Sequence, residues 1–442
     1  MNIIYLFLYL LFHLYNLYIF IYFKSNKMFF FKYITSLLNI LSFILVISKI
    51  KLADIEEEVF TLTNISPGLY AMQLSIGYPT HNFLLLVDIS SKYTWLRGTN
   101  CTFCSCTDNI YDEEASISVI HQDEIPYTTM TDIKGSVSGN ILYDDIKIGD
   151  YYATKVELLI ASEDEYLESA DGVLSLKYPK DPNDSRNIIN KLYISNYIRK
   201  KILYFNFKDE MTGTLTLGNI PSHIINDKKN YSICHIQELL NVNWNCLATH
   251  ILFDDNYNFY QASVIDAITI FSTGIDNIFA PIKTIDLFIN NYFKNLPDYE
   301  DKKCIIKTIS GIHQIYCLKT FLNINGPSIH FIFNGYAYKI PFEDLFDDVY
   351  TDSYNKYKLF KVEFYETEKN EWYFGTIFLK QYETVFDAEN KVVGFYGGNK
   401  YDFTKYTNEE YEVNCWYNSI SVFILFSVVI IPMIYEVTHK LK

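Results

Sequence analysis

The chain has 442 residues, 49% of them hydrophobic and 17% aromatic, with 39 Tyr and 33 Phe against only 17 Gly and 11 Pro. That composition can bury one large core or two medium ones, and it excludes a disordered, collagen-like or linker-dominated protein. The formal net charge is -15 with no Lys/Arg stripe through the central region, so no nucleic-acid partner is expected and the acidic balance reads as solubility.

In chain order, residues 1–50 are almost wholly apolar, interrupted by Lys24, Lys27, Lys32 and Lys49. Residues 3–23 are long enough to span a bilayer as a helix, and a second apolar run covers 33–48. Read from Met28, the stretch has the basic start and apolar centre of a signal peptide. Two readings of 1–53 stay open: a cleaved signal, or an uncleaved N-terminal anchor.

From residue 58 to 403 the pattern changes to short alternating runs broken by Gly, Asn and Asp. Examples are GLYAMQLSIGYP (68–79), NFLLLVDI (82–89), GNILYDDIKIGD (139–150), TKVELLIA (154–161), ILYFNF (202–207) and GTLTLGNI (213–220). Such period-two runs predict strands. Helical patterns are few, at 185–201 and 281–296. A mostly β body of this length suits two lobes, placed at 58–240 and 241–403. A weak repeat supports them: LLLVDIS (84–90) is echoed by ITIFSTG (268–274), and DGVLSL (171–176) by a Gly-led apolar run, FGTIFL (374–379), also read as a strand.

Residues 404–415 form a juxtamembrane linker, and 416–435 an apolar segment of the length of one spanning helix. The tail 436–442 carries Lys440 and Lys442, as a cytosolic flank should. The body is therefore expected to be lumenal or extracellular, anchored in a membrane of the secretory pathway. Sequons at Asn64, Asn100, Asn183 and Asn230 fit that placement, although Pro67 weakens the first. Eight cysteines in such a compartment read as disulfide partners. Cys101, Cys104 and Cys106 have zinc-like spacing but no second Cys/His pair at ligand distance, so disulfides are the reading there too. Cys304 with Cys317, and Cys234 with Cys246, are the pairings expected further on.

The body resembles the pepsin-like aspartic proteases, plasmepsins included, over nearly its whole length. YAMQLSIGYPTHNFLLLVDISSKYTWL aligns Asp88 with the first catalytic aspartate and Trp95 with the tryptophan seven residues on. KGSVSGNILYDDIKIG (134–149) is similar to the flap hairpin, DGVLSLKYP (171–179) to the family's Asp-Gly-Ile-Leu-Gly-Leu-x-Tyr-Pro, and FGTIFLKQYETVFDAENKVVGF (374–395) to its closing signature. The resemblance implies a two-lobed fold with few helices, no cofactor or metal, a monomer, and a cleft that takes an extended peptide or protein ligand. It implies contacts to that ligand from Ser91, Asp132, Gly135, Ser136 and Gly274.

The catalytic positions depart from the family. Its chemistry needs two carboxylates sharing one proton: one activates water, the other protonates the carbonyl. Here the first tripeptide is Asp88-Ile89-Ser90, and the second, aligned through Pro281, is Ser272-Thr273-Gly274. The second aspartate is thus a serine, which cannot share a proton with Asp88. Asp132 stands in register with the flap tyrosine, Tyr127 lies out of register, and Thr376 stands where the closing motif has Asp. No His or Lys motif marks a base for Ser272, so a serine hydrolase is not expected. Three readings follow: a catalytically impaired peptide binder, an active but divergent endopeptidase pairing Asp88 with Asp266 or Asp276, and a scaffold or adhesion protein keeping only the fold.

Overall fold

The computed structural model describes residues 58–403 except 103, 105–108, 122–126, 134, 166–169, 208–210, 240–242, 256–257, 260–261, 297–302, 321, 323–325 and 349–355. The apolar runs at both ends, the basic tail, Cys106 and Cys415 lie outside the described residues. No helix among the described residues is long and apolar enough to cross a membrane.

The fold is mostly β, bilobal and poor in helices, built on two large sheets. The strand His81–Asp88 runs parallel to Gly172–Ser175, placing Asp88 opposite Ser175. Gly172–Ser175 pairs antiparallel with Thr94–Arg97, which pairs parallel with Tyr151–Asp164. The second sheet repeats the same three steps. Ser263–Phe271 runs parallel to Glu371–Phe374, that strand pairs antiparallel with Ile278–Pro281, and the last pairs parallel with Val362–Tyr365. The tripeptides 88–90 and 272–274 therefore leave equivalent strand ends, one from each lobe.

One expected strand is corrected. The run 374–379 is not a strand: pairing stops at Phe374, and Thr376–Leu379 is a helical turn closed by Lys380 N–H donating to the Thr376 carbonyl at 2.8 Å. The cause is a close backbone crossing. A Cβ on Gly375 would lie 2.5 Å from the carbonyl oxygens of Asp276 and Asn277, so only glycine lets the chain turn there. The strand equivalent to Gly172–Ser175 lies just before this glycine instead of after it.

The two helical patterns do form helices, shorter than the sequence suggested. Asn187 caps Ile188–Ile194, its side chain accepting from Asn190 N–H, while Ile285–Asn291 is flanked by 3-10 turns. Late in the chain, Glu383–Asp387 and Val392–Tyr396 return to the first sheet, pairing with Ile202–Asn206 and Tyr231–His235. One continuous sheet thus carries strands from both halves of the sequence.

Among the described residues, three disulfides staple this frame. Cys234–Cys246 joins the first sheet to the second, with Cα atoms 5.9 Å apart, and Cys304–Cys317 links directly opposed residues of a hairpin. Cys101–Cys104 closes a short loop. Bridged to each other, Cys101 and Cys104 offer no thiolate to a metal.

Abundant aromatics become the packing that fixes the second tripeptide. Phe271 is fully buried, and Phe333, Phe374, Phe378, Phe386 and Phe395 all have ring centroids within 6.3 Å of it. Ser272 follows Phe271 directly, so its position is held by this cluster.

Candidate active site

Asp88 ends its strand with no solvent exposure. Its Oδ1 accepts hydrogen bonds from Ser90 N–H at 2.8 Å and from Ser272 Oγ at 3.1 Å, and lies 2.8 Å from Ser90 Oγ. Ser90 Oγ is also 2.8 Å from Ser272 Oγ, so its single proton points to one of the two. Gly274 N–H donates to Ser272 Oγ at 3.3 Å. The two tripeptides, 184 residues apart, meet face to face.

A second link runs beside the first. Thr273 Oγ1 donates to the Val87 carbonyl at 2.7 Å and accepts from Ile89 N–H at 3.3 Å. The reciprocal bond cannot form, because position 89 carries an isoleucine, which instead enters the main core. Thr273 thus ties the two strand ends together, while Ser272 contacts the carboxylate itself.

Chemically, the group opposite Asp88 is a donor without a proton that titrates near physiological pH. Asp276 and Asp266 lie elsewhere. Asp276 Oδ1 lies 2.9 Å from Thr376 Oγ1 and its Oδ2 pairs with Lys361 Nζ at 2.7 Å. Burial tends to lower the Lys361 pKa, but Asp276 and Asp347 outweigh it and hold the ammonium above its ordinary value. Thr376 Oγ1, at the position of the closing-motif Asp, also lies 2.6 Å from the Gly68 carbonyl, so its single proton points to one of the two acceptors. Asp266 sits on the exposed early part of its strand, about 20 Å from Ser272 at a strand's rise per residue.

The predicted flap is a hairpin in which Tyr127–Asp132 pairs with the start of Gly135–Ile148. Asp132 opposes Gly135 at its turn, and Gly135 has φ 143°, a conformation that favours glycine. Ser136 is occupied by Glu165, which accepts from its hydroxyl at 2.8 Å and its N–H at 3.2 Å. Tyr127 is exposed, its hydroxyl 3.5 Å from Ser162 Oγ. Ser91 is buried, donating to the Tyr93 carbonyl at 2.9 Å, and it meets the hairpin through Met130 Sδ at 3.9 Å. Of the residues singled out in the sequence, Asp88, Ser272 and Gly274 converge; Ser91, Asp132, Gly135 and Ser136 sit on the loop and hairpin beside them.

Beside Ser90 opens a cleft of about 900 Å³, bounded by the hairpin residues Thr129, Met130 and Thr131 and, from the second lobe, by Tyr373. Sequence reasoning missed two of its features. In the sequence Ser90 is only the third residue of the first tripeptide, yet its hydroxyl bridges the two tripeptides. The basic side chains along one wall were also missed; the available signal was Lys177, inside the recognisable run LSLKYP.

Comparison with known proteins agrees with this geometry. The family model described as eukaryotic aspartyl protease matches residues 69–396. Similar proteins include pepsin-3 of Oryctolagus cuniculus, 23% identical over 344 residues that cover 76% of this chain and 82% of that protein. Pregnancy-associated glycoprotein 1 of Bos taurus is 23% identical over 338 residues, covering 75% and 82%. Plasmepsin I of Plasmodium falciparum is 24% identical over 347 residues, covering 76% and 70%.

Proposed function

The chain belongs to the eukaryotic aspartyl protease family, and from that premise we propose that it is a membrane-anchored member that binds extended peptide in its cleft and is impaired in hydrolysis. The observation that carries this reading is Ser272 Oγ donating to Asp88 Oδ1 at 3.1 Å, where the chemistry calls for a second acid. An ionised Asp88 could still draw a proton from water, but Ser272 cannot deliver one to a scissile carbonyl from a shared acid pair. Loss of one acid–base partner costs about 10²–10⁴ in rate, and more where two groups act as a unit.

Hydrolysis through Asp266 or Asp276 finds little support, since one is exposed and the other is tied to Lys361 and Thr376. Peptide binding, by contrast, is favoured over a bare scaffold by the cleft beneath the hairpin. The apolar runs at 1–50 and 416–435 and the exposed sequons at Asn100, Asn183 and Asn230 support a body held on the lumenal or extracellular face of a secretory-pathway membrane.

The test presents the purified full chain with a peptide library between pH 4 and 7. Binding without turnover is expected. Cleavage that a statine-type inhibitor blocks and that Asp88→Ala abolishes would overturn the impaired reading, and absence of both binding and cleavage would favour the scaffold.

A further inference from the structure

The wall of the cleft next to Ser90 has a charge opposite to that of the chain. Its lining includes four cations, Lys92, Lys177, Lys180 and Arg186, against two carboxylates, Asp181 and Asp184, in a protein of net charge -15. One carboxylate serves two of the cations: Asp184 lies 2.6 Å from Lys177 Nζ and 2.7 Å from Arg186 Nε. Asp181 is engaged locally, accepting from Asn183 N–H at 2.9 Å. Lys180 Nζ donates to a neutral acceptor, the Glu238 carbonyl, at 3.0 Å; the Glu238 carboxylate itself pairs with Lys391 at 2.6 Å. Lys92 is exposed and stands 5.3 Å from the centroid of the Tyr93 ring, the same ring that Arg186 approaches to 5.2 Å.

Building on the reading of the cleft as a peptide site, we propose that this wall selects an acidic side chain of the bound peptide, read by Lys92 and Lys180 over a positive floor made by Lys177 and Arg186. A cleft walled by protein strengthens the attraction relative to open solvent, and fixed cations recruit anions from solution. Burial first, then Arg186 and Lys92, push the Lys177 ammonium below its ordinary value in spite of Asp184. An anion seated among these groups relieves that repulsion. Both lysines are exposed and neither takes part in the Lys177–Asp184–Arg186 ion pairs, so both can be neutralised with those pairs left in place.

The test uses the full chain in mild detergent with capped decapeptides, acetylated and amidated so that side chains are the sole source of carboxylate. Peptides with Asp or Glu at one position are expected to bind about 10-fold tighter than their Asn or Gln counterparts, the difference between a charge-assisted and a neutral hydrogen bond. The preference should fall below about 3-fold in Lys92→Gln/Lys180→Gln and at high salt, and persist in Lys92→Arg/Lys180→Arg. Tight binding with no acidic preference would overturn this proposal and leave the peptide-site reading standing. Failure of every peptide to bind would overturn both.

Discussion

Thr273 donates its hydroxyl to the Val87 carbonyl at 2.7 Å, joining two strand ends 186 residues apart in the chain. The same oxygen accepts from Ile89 N–H, so one buried side chain satisfies two main-chain groups on the opposite lobe. Because Ile89 cannot return the favour, this seam depends on Thr273 alone among the two central positions of the tripeptides. Thr273→Val keeps the shape and leaves a buried carbonyl and N–H unpaired, which should cost about 1–3 kcal/mol. Chemical denaturation should show the loss, and Thr273→Ser should recover most of it. An unchanged midpoint for Thr273→Val would mean that the seam carries no stability.

Ser272→Asp supplies the missing carboxylate beside Asp88. Cleavage of a generic aspartic-protease substrate should rise by at least about 100-fold over the unaltered chain, with an acidic optimum, because one proton held between two acids is what the chemistry needs. A Ser272→Asp, Asp88→Asn double variant should lose the gain. If Ser272→Asp stays inert while still folded, Ile89 and Ser90 are separately disabling.

The Cys234–Cys246 disulfide links the two sheets across a sequence separation of 12. Replacing both cysteines by serine should destabilise the fold by about 2–4 kcal/mol in the chain-entropy picture, visible as a drop in Tm of several degrees. Removing Cys101–Cys104, which closes a separation of 3, should cost clearly less. Equal losses at the two sites would argue that loop entropy is not the source.

Asp184 carries a pH signature. Burial alone would raise its pKa, but hydrogen bonds from Arg186 and Lys177 outweigh it and hold the carboxyl at about 2, below the ordinary 3.8. A depressed carboxylate contributes stability that is present above the unfolded value and is lost as pH falls through the folded one. The stability difference between the unaltered chain and Asp184→Asn should therefore hold from pH 7 down to about 4, at about 1–2 kcal/mol after allowance for solvent screening. It should vanish towards pH 2. Thermal melts across that range test it; a difference already gone at pH 5 would contradict the pairing.

Local chemistry announced a good part of this molecule. Alternating apolar residues produced strands because a half-buried sheet admits little else, and the turn signals between them fell where the chain turns. The positions of Asp88 and Ser272 were legible through the family resemblance, which aligns each with a tripeptide that follows an apolar run. The strand at 371–374 was displaced in the reading because the recognisable glycine marks a backbone crossing, and crossings leave no periodic trace.

The residue types at the centre of the site, one acid and one hydroxyl, follow from the order of amino acids and needed no coordinates. Their distance, the bridging role of Ser90, the turning of Asp276 towards Lys361 and the gathering of Lys92, Lys177, Lys180 and Arg186 on one wall needed the folded chain. Each of these joins groups far apart in sequence or projects side chains from loops, and such contacts are set by how whole sheets pack rather than by any neighbouring residue.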